Sequence, residues 1–139
     1  YIAEKYNCII LSQDIEKTRK KMETKLKNLI KTNNVIIDSQ NPDKKSRKNY
    51  INIGEKEGTK IIAIYINVSD EEAGYLNKFR TQISKGEKKY VSTIVVRIFN
   101  KKFEEPSKEE GFNKIVETKF CKNLLDKKSI DMMDRYYLW

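Results

Sequence analysis

The apolar residues of this chain fall into short runs separated by stretches of helical spacing. "CIIL" (8–11) is a compact apolar run that stops at Ser12, Gln13 and Asp14, as a buried strand does. From Ile15 the apolar positions Met22, Leu26, Leu29 and Ile30 come mostly three or four apart, with Lys and Glu between them. That spacing predicts an amphipathic helix ending near Asn33 and Asn34. "VIID" (35–38) predicts a second buried strand, and Asp43 to Glu57 a helix with Tyr50 and Ile53 inward and Gly58 just past its end. "KIIAIYINV" (60–68) is nearly continuous in apolar residues, the pattern of a strand covered on both faces of a parallel sheet. Ser69 with Glu72 makes a capping box, and Ala73, Leu76, Phe79 and Ile83 carry that helix onward. A basic loop, "SKGEKKY" (84–90), leads to a helix over Val91 to Phe103 that Glu105-Pro106 closes. "GFNKIVETKF" (111–120) predicts a late strand, and residues 121–139 read as a tail with an aromatic end, "RYYLW".

Strands alternating with helices over short connections predict an α/β layered fold on a parallel sheet. A chain of 139 residues suits one compact domain. In such folds ligands bind at the carboxyl ends of the strands. Asp14 and Asp38 both follow predicted strands, so the fold is expected to bring them onto one rim.

Charge narrows the class of partner. Lys and Arg number 29 against 20 Asp and Glu, a formal net charge of +9, which suits a polyanion such as nucleic acid, a nucleotide or an acidic membrane face. Compositional drift toward Lys and Asn explains the charge alone equally well. There is no histidine, which excludes a His-based triad, a His general base and His metal ligands. Cys8 and Cys121 match neither a zinc spacing nor a disulfide framework, which predicts a reducing, intracellular compartment. No apolar run approaches the ~20 residues of a membrane span, so no membrane partner is expected.

Local spacing leaves each candidate residue two roles. Asp14 is placed either to accept a proton from a substrate hydroxyl or, more commonly for such a residue, to cap the helix beginning at Ile15. Asp38 ends a strand in the manner of a carboxylate that holds Mg²⁺ through water in phosphate-transferring enzymes; initiating a turn is the equal alternative. Asn41-Pro42-Asp43 is a turn and helix start, with Asp43 a structural cap. Arg80 flanks the stripe Leu76, Phe79, Ile83 and is either a phosphate clamp or a surface arginine. Lys85, Lys88 and Lys89 around Gly86 form either a basic lid or a solvated charge run. "GEKEGTK" (54–60) is no phosphate loop, since its spacing is wrong and it precedes a strand rather than joining strand to helix.

Four stretches, in this order, carry a likeness: "LSQD" (11–14), "IIDSQNPDKKSRKNYI" (36–51), "LNKFR" (76–80) and "NKKFEEPSKEEGFNKIVETKF" (100–120). The second holds Asp-x-x-Asn-Pro-Asp followed by Ser-Arg and Tyr; the fourth holds Phe-Glu-x-Pro followed by Glu-Gly-Phe and an apolar strand. In these features residues 1–120 resemble the kinase domain of the polynucleotide kinase/phosphatase family, 5′-hydroxyl kinases that heal broken nucleic-acid ends, with 121–139 as a tail of the same domain. The resemblance implies a three-layer P-loop-kinase-like fold. It implies ATP and Mg²⁺ as cofactors, a nucleic acid with a 5′-hydroxyl end as partner, an N-terminal phosphatase domain in many members, and a nuclear location. Asp14 then matches the general base, Asp38 the Mg²⁺ and phosphate end, and Arg80 the lid arginine that also meets the nucleotide. Arg47, Lys85, Lys88 and Lys89 are the expected nucleic-acid contacts.

Two departures qualify it. Gln13 stands where the family often has an arginine, and residues 1–139 contain no G-x-x-x-x-G-K-S/T loop. In the family that loop lies just ahead of the position of Tyr1, so the chain is expected to be a kinase domain incomplete at its N-terminus and weak in ATP binding as it stands. A small-molecule P-loop kinase and a non-catalytic basic nucleic-acid-binding module are the alternatives.

Overall fold

A computed structural model describes residues 2–121 and 125–136. A short helix, α1 (Ile2–Lys5), precedes β1 (Cys8–Ser12), which pairs in parallel with β2 (Asn34–Asp38), Cys8 opposite Asn34 and Ser12 opposite Asp38. Only Leu11 of the β1 run is buried; Ile9 and Ile10 are exposed, and Val35, Ile36 and Ile37 of β2 are half-buried.

Between these strands the single helix predicted from Ile15 is two. α2 (Gln13–Glu16) stops at Lys17, whose φ of 65° is left-handed and cannot continue a right-handed helix. Thr18 then restarts the chain as α3 (Arg19–Leu29), its hydroxyl accepting the Lys21 N–H. Met22 and Leu26 of α3 pack with Leu11 and with Ile53 of α4 (Lys44–Lys56), and Leu29, Ile30, Val35, Ile37 and Tyr50 surround them. Each fully buried side chain of this size contributes ~1.5–3 kcal/mol. α4 starts at a capping box between Asp43 and Ser46 and ends before Gly58 at φ 66°, as its sequence predicts.

β3 (Ile62–Ile66) pairs with β4 (Lys114–Thr118) in a second two-stranded sheet. The Asn113 N–H donates to the Ile61 carbonyl at 2.9 Å and the Asn67 N–H to that of Thr118 at 2.8 Å, so both strands advance in the same direction. β3 is not covered on both faces: Ile62, Ile64 and Ile66 are 53%, 43% and 62% exposed and alternate with half-buried Ala63 and Tyr65. α5 (Asp70–Ile83) starts at the Ser69–Glu72 capping box. α6 (Thr93–Lys102) follows, and a 3₁₀ turn, Lys108–Glu110, leads to Gly111.

The segment expected as a tail contains a helix, α7 (Lys127–Tyr136). It buries Ser129 and Met133, four residues apart, and the Asp126 carboxylate accepts the Ser129 N–H at its start. Tyr1, residues 122–124 and residues 137–139 with their terminal tryptophan lie outside the described residues.

The chain forms two compact units, Tyr1–Ile64 with Lys102–Val116 and Tyr65–Lys101 with Glu117–Trp139. Architecture at this level is α/β with short parallel sheets. Among the described residues no helix is long and apolar enough to cross a membrane.

Candidate functional site

In the first unit the parallel register sets Ser12 and Asp38 side by side at the carboxyl ends of β1 and β2. Asp14 lies two residues beyond Ser12 in the first turn of α2, and Asp38 is the last residue of its strand. The two carboxylates therefore belong to one rim, as their strand-end positions predict. The helix begins at Gln13 with Ser12 as its flanking residue, so Asp14 is inside the helix and does not cap it. Both are exposed, and among the described residues neither side chain has a hydrogen-bond or ion-pair partner. Such carboxylates are open to a substrate from solvent.

Arg47 is corrected most by the structure. Expected at a nucleic acid, it is buried, with 7% of its surface exposed. Its Nε and Nη2 donate to the two carboxylate oxygens of Glu110 at 2.7 and 2.8 Å, and its Nη1 donates to the carbonyls of Asn41 and Glu104 at 3.1 and 2.9 Å. This planar fork matches the carboxylate in both position and charge. Burial alone raises the Glu110 pKa; the Arg47 guanidinium and the Ser107 N–H outweigh it and hold the carboxyl below its ordinary value.

The two stretches that are most specific in the sequence thus meet in space. Glu104 adds two further bonds, its N–H donating to the Pro42 carbonyl at 2.7 Å and its carboxylate accepting the Lys44 N–H at 2.8 Å. On the other side Arg19 donates to the carbonyls of Gln40 and Ser46 at 3.1 and 3.0 Å. Asp43 accepts the Ser46 N–H at 2.6 Å, and that bond is the main reason its pKa is lowered. Sequence reading missed Arg19, Glu104 and Glu110. Glu104 and Glu110 do stand inside the Phe-Glu-x-Pro and Glu-Gly-Phe motifs, but local spacing gives no sign of their partners.

Arg80, Lys85, Lys88 and Lys89 all lie in the second unit and are exposed. Arg80 donates to the Lys89 carbonyl at 3.2 Å and so holds the basic loop to α5. The Asn77 side chain fixes the far end of the loop, accepting the Val91 N–H at 3.0 Å and donating to its carbonyl at 2.7 Å. Lys85 at φ 51° and Gly86 at φ 85° make the turn. The lysine side chains are left at the surface of an anchored loop.

Among the described residues no three His, Cys, Asp or Glu side chains gather as a metal-holding group. Mg²⁺ commonly takes one or two carboxylates together with waters and substrate phosphates. The exposed Asp38 carboxylate fits an ion that arrives with a nucleotide, and it does not make a self-sufficient metal site.

The family model described as "Chromatin associated protein KTI12" matches residues 3–115. A putative bifunctional polynucleotide phosphatase/kinase of Acanthamoeba polyphaga mimivirus is 37% identical over 120 residues, covering 84% of this chain and 28% of that protein. A bifunctional polynucleotide phosphatase/kinase of Schizosaccharomyces pombe is 33% identical over 111 residues, covering 79% and 27% respectively. The chain spans a little over a quarter of the length of these relatives.

Proposed function

This chain belongs to the KTI12 family and carries a polynucleotide-kinase-like domain, and from that premise we propose that it is the acceptor-activating part of an ATP-dependent polynucleotide 5′-hydroxyl kinase. The reading rests on the pair of exposed carboxylates, Asp14 and Asp38, set at the ends of adjacent parallel strands. Phosphoryl transfer asks for in-line positioning and charge neutralisation more than for covalent participation by the protein. In this reading Asp14 accepts the proton of the 5′-hydroxyl as that oxygen bonds to the γ-phosphorus, and the bond from that phosphorus to the bridging oxygen breaks to release ADP. Asp38 would hold Mg²⁺, which would supply neutralisation of charge on the transferring group. Arg80 steadies the equatorial oxygens and contacts the nucleotide. Lys85, Lys88 and Lys89 meet the backbone phosphates of the nucleic acid.

The finer parts of the reading concern the whole protein. The fold is then a three-layer P-loop-kinase-like domain, with the β- and γ-phosphates of ATP held by a glycine-rich loop that is not among residues 1–139. The names of the relatives support a phosphatase domain in the same protein, and the family's name supports a place at chromatin, hence in the nucleus; a role in end healing and repair is part of the same proposal.

The test is Asp14→Asn in the full-length protein, with transfer of labelled phosphate from ATP to a 5′-hydroxyl oligonucleotide measured beside oligonucleotide binding. Loss of a general base lowers transfer by about 10²–10⁴-fold, with binding largely unchanged. Undiminished transfer removes Asp14 from the role. Salt-sensitive binding with no transfer even in the parent protein would favour the non-catalytic module, and transfer that oligonucleotide does not compete for would favour a small-molecule kinase.

A further inference from the structure

Asp38 has no side-chain partner among the described residues, so the direction of its carboxylate depends on how firmly the backbone around it is held. On one side the ladder with β1 holds it. On the other lies the turn to α4, and every residue of that turn from Ser39 to Lys44 is tied. The Ser39 hydroxyl donates to the Asn41 side chain, whose amide donates back to the Ser39 carbonyl. The carbonyls of Gln40, Asn41 and Pro42 accept from Arg19, Arg47 and the Glu104 N–H in turn. Asp43 caps α4 and the Lys44 N–H donates to the Glu104 carboxylate.

Turns at strand ends are usually among the loosest parts of a fold. This one is closed by a buried arginine and two glutamates from distant sequence, Glu110 standing 63 residues from Arg47. Stability alone gives little reason for such a pair, because buried ion pairs are often replaceable by apolar side chains without loss. Apolar side chains would, however, leave the Asn41 and Glu104 carbonyls without their donor and release the turn.

We infer that the Arg47–Glu110 pair, with Glu104, is a positioning device that fixes the 39–44 turn and through it the bearing of the Asp38 carboxylate. The inference rests on the reading of Asp38 given above. Arg47 touches no reacting atom; it acts by holding the strand end that does.

The experiment compares Glu110→Gln with the parent in the full-length protein, reading backbone amide exchange at 39–44 and the Mg²⁺ concentration that half-saturates transfer. The expected result is exchange at 39–44 faster by about 10-fold or more, with β1 and β2 amides unchanged. The Mg²⁺ requirement should rise by about 10-fold, as when a residue orienting a metal ligand is lost. If Glu110→Gln does not purify folded, Glu104→Ala, which removes the carboxylate at the Lys44 N–H, is read in the same way. Unchanged exchange at 39–44, or an acceleration shared by β1 and β2, overturns the inference. So does an unchanged Mg²⁺ requirement in the variant when Asp38→Asn in the same protein alters it. If Asp38→Asn leaves both transfer and Mg²⁺ requirement intact, the reading of Asp38 falls, and amide exchange alone decides whether the pair holds the turn.

Discussion

At Arg47 the guanidinium exchanges its hydration for four protein acceptors, and that exchange is safe only while all four stay in place. Truncation to Ala leaves the Glu110 carboxylate, on a side chain only 7% exposed, without its guanidinium partner, so Arg47→Ala should destabilise by ~3–5 kcal/mol, read from urea unfolding of the full chain. The same pair sets a pH dependence. Folding lowers the Glu110 pKa below its ordinary 4.5, so its stabilising contribution is complete above that value. The contribution declines as pH falls through the lower folded value. Urea midpoints measured from pH 7 to pH 3 should therefore drop more steeply in the parent than in Glu110→Gln, which has no proton to take up. The rim positions of Asp14 and Asp38 were legible in the sequence because an apolar run that stops at polar residues fixes both its strand and its end. Arg47 was not legible, because whether an arginine faces phosphate or folds inward is decided by carboxylates far along the chain.

For helices and strands, legibility followed how local the deciding force was. The Asp43 cap and the Ser69–Glu72 capping box were readable, since each is settled within four residues. Ser69→Ala should cost ~1 kcal/mol and speed amide exchange in the first turn of α5. The break at Lys17 was missed because Thr18 imitates an ordinary polar helix position. β3 reads as covered on both faces, yet its isoleucines stand exposed: apolar content states what a strand would bury, and only tertiary packing states what it does. Gly111 is constrained both by its backbone and by its packing. At φ 108° it also sits where an added Cβ would come within 2.9 Å of Ile51 Cγ2 and 2.6 Å of Glu55 Oε1. Gly111→Ala should thus destabilise by ~1–3 kcal/mol in thermal or urea unfolding, through backbone strain alone at the lower end.

For the whole molecule, charge and connectivity are the features with consequences. A net charge of +9 carried partly on the 84–90 loop predicts oligonucleotide binding that weakens steeply with salt. Replacing Lys85, Lys88 and Lys89 together by Gln in the full-length protein should reduce the log–log salt slope by up to ~2 for a single strand; an unchanged slope would place the contacts elsewhere. Connectivity has a less obvious effect. The first unit is discontinuous, made of Tyr1–Ile64 and Lys102–Val116 with most of the second unit's sequence between them. During synthesis at ~5–20 residues per second, Arg47 emerges several seconds before Glu110 exists to meet it. A nascent chain halted near residue 100 would have β1, β2 and their two carboxylates but neither Glu104 nor Glu110 to hold the turn beyond Asp38. Translation therefore imposes an order on assembly: the rim is laid down first, and it is locked only after Glu104 and Glu110 have been made.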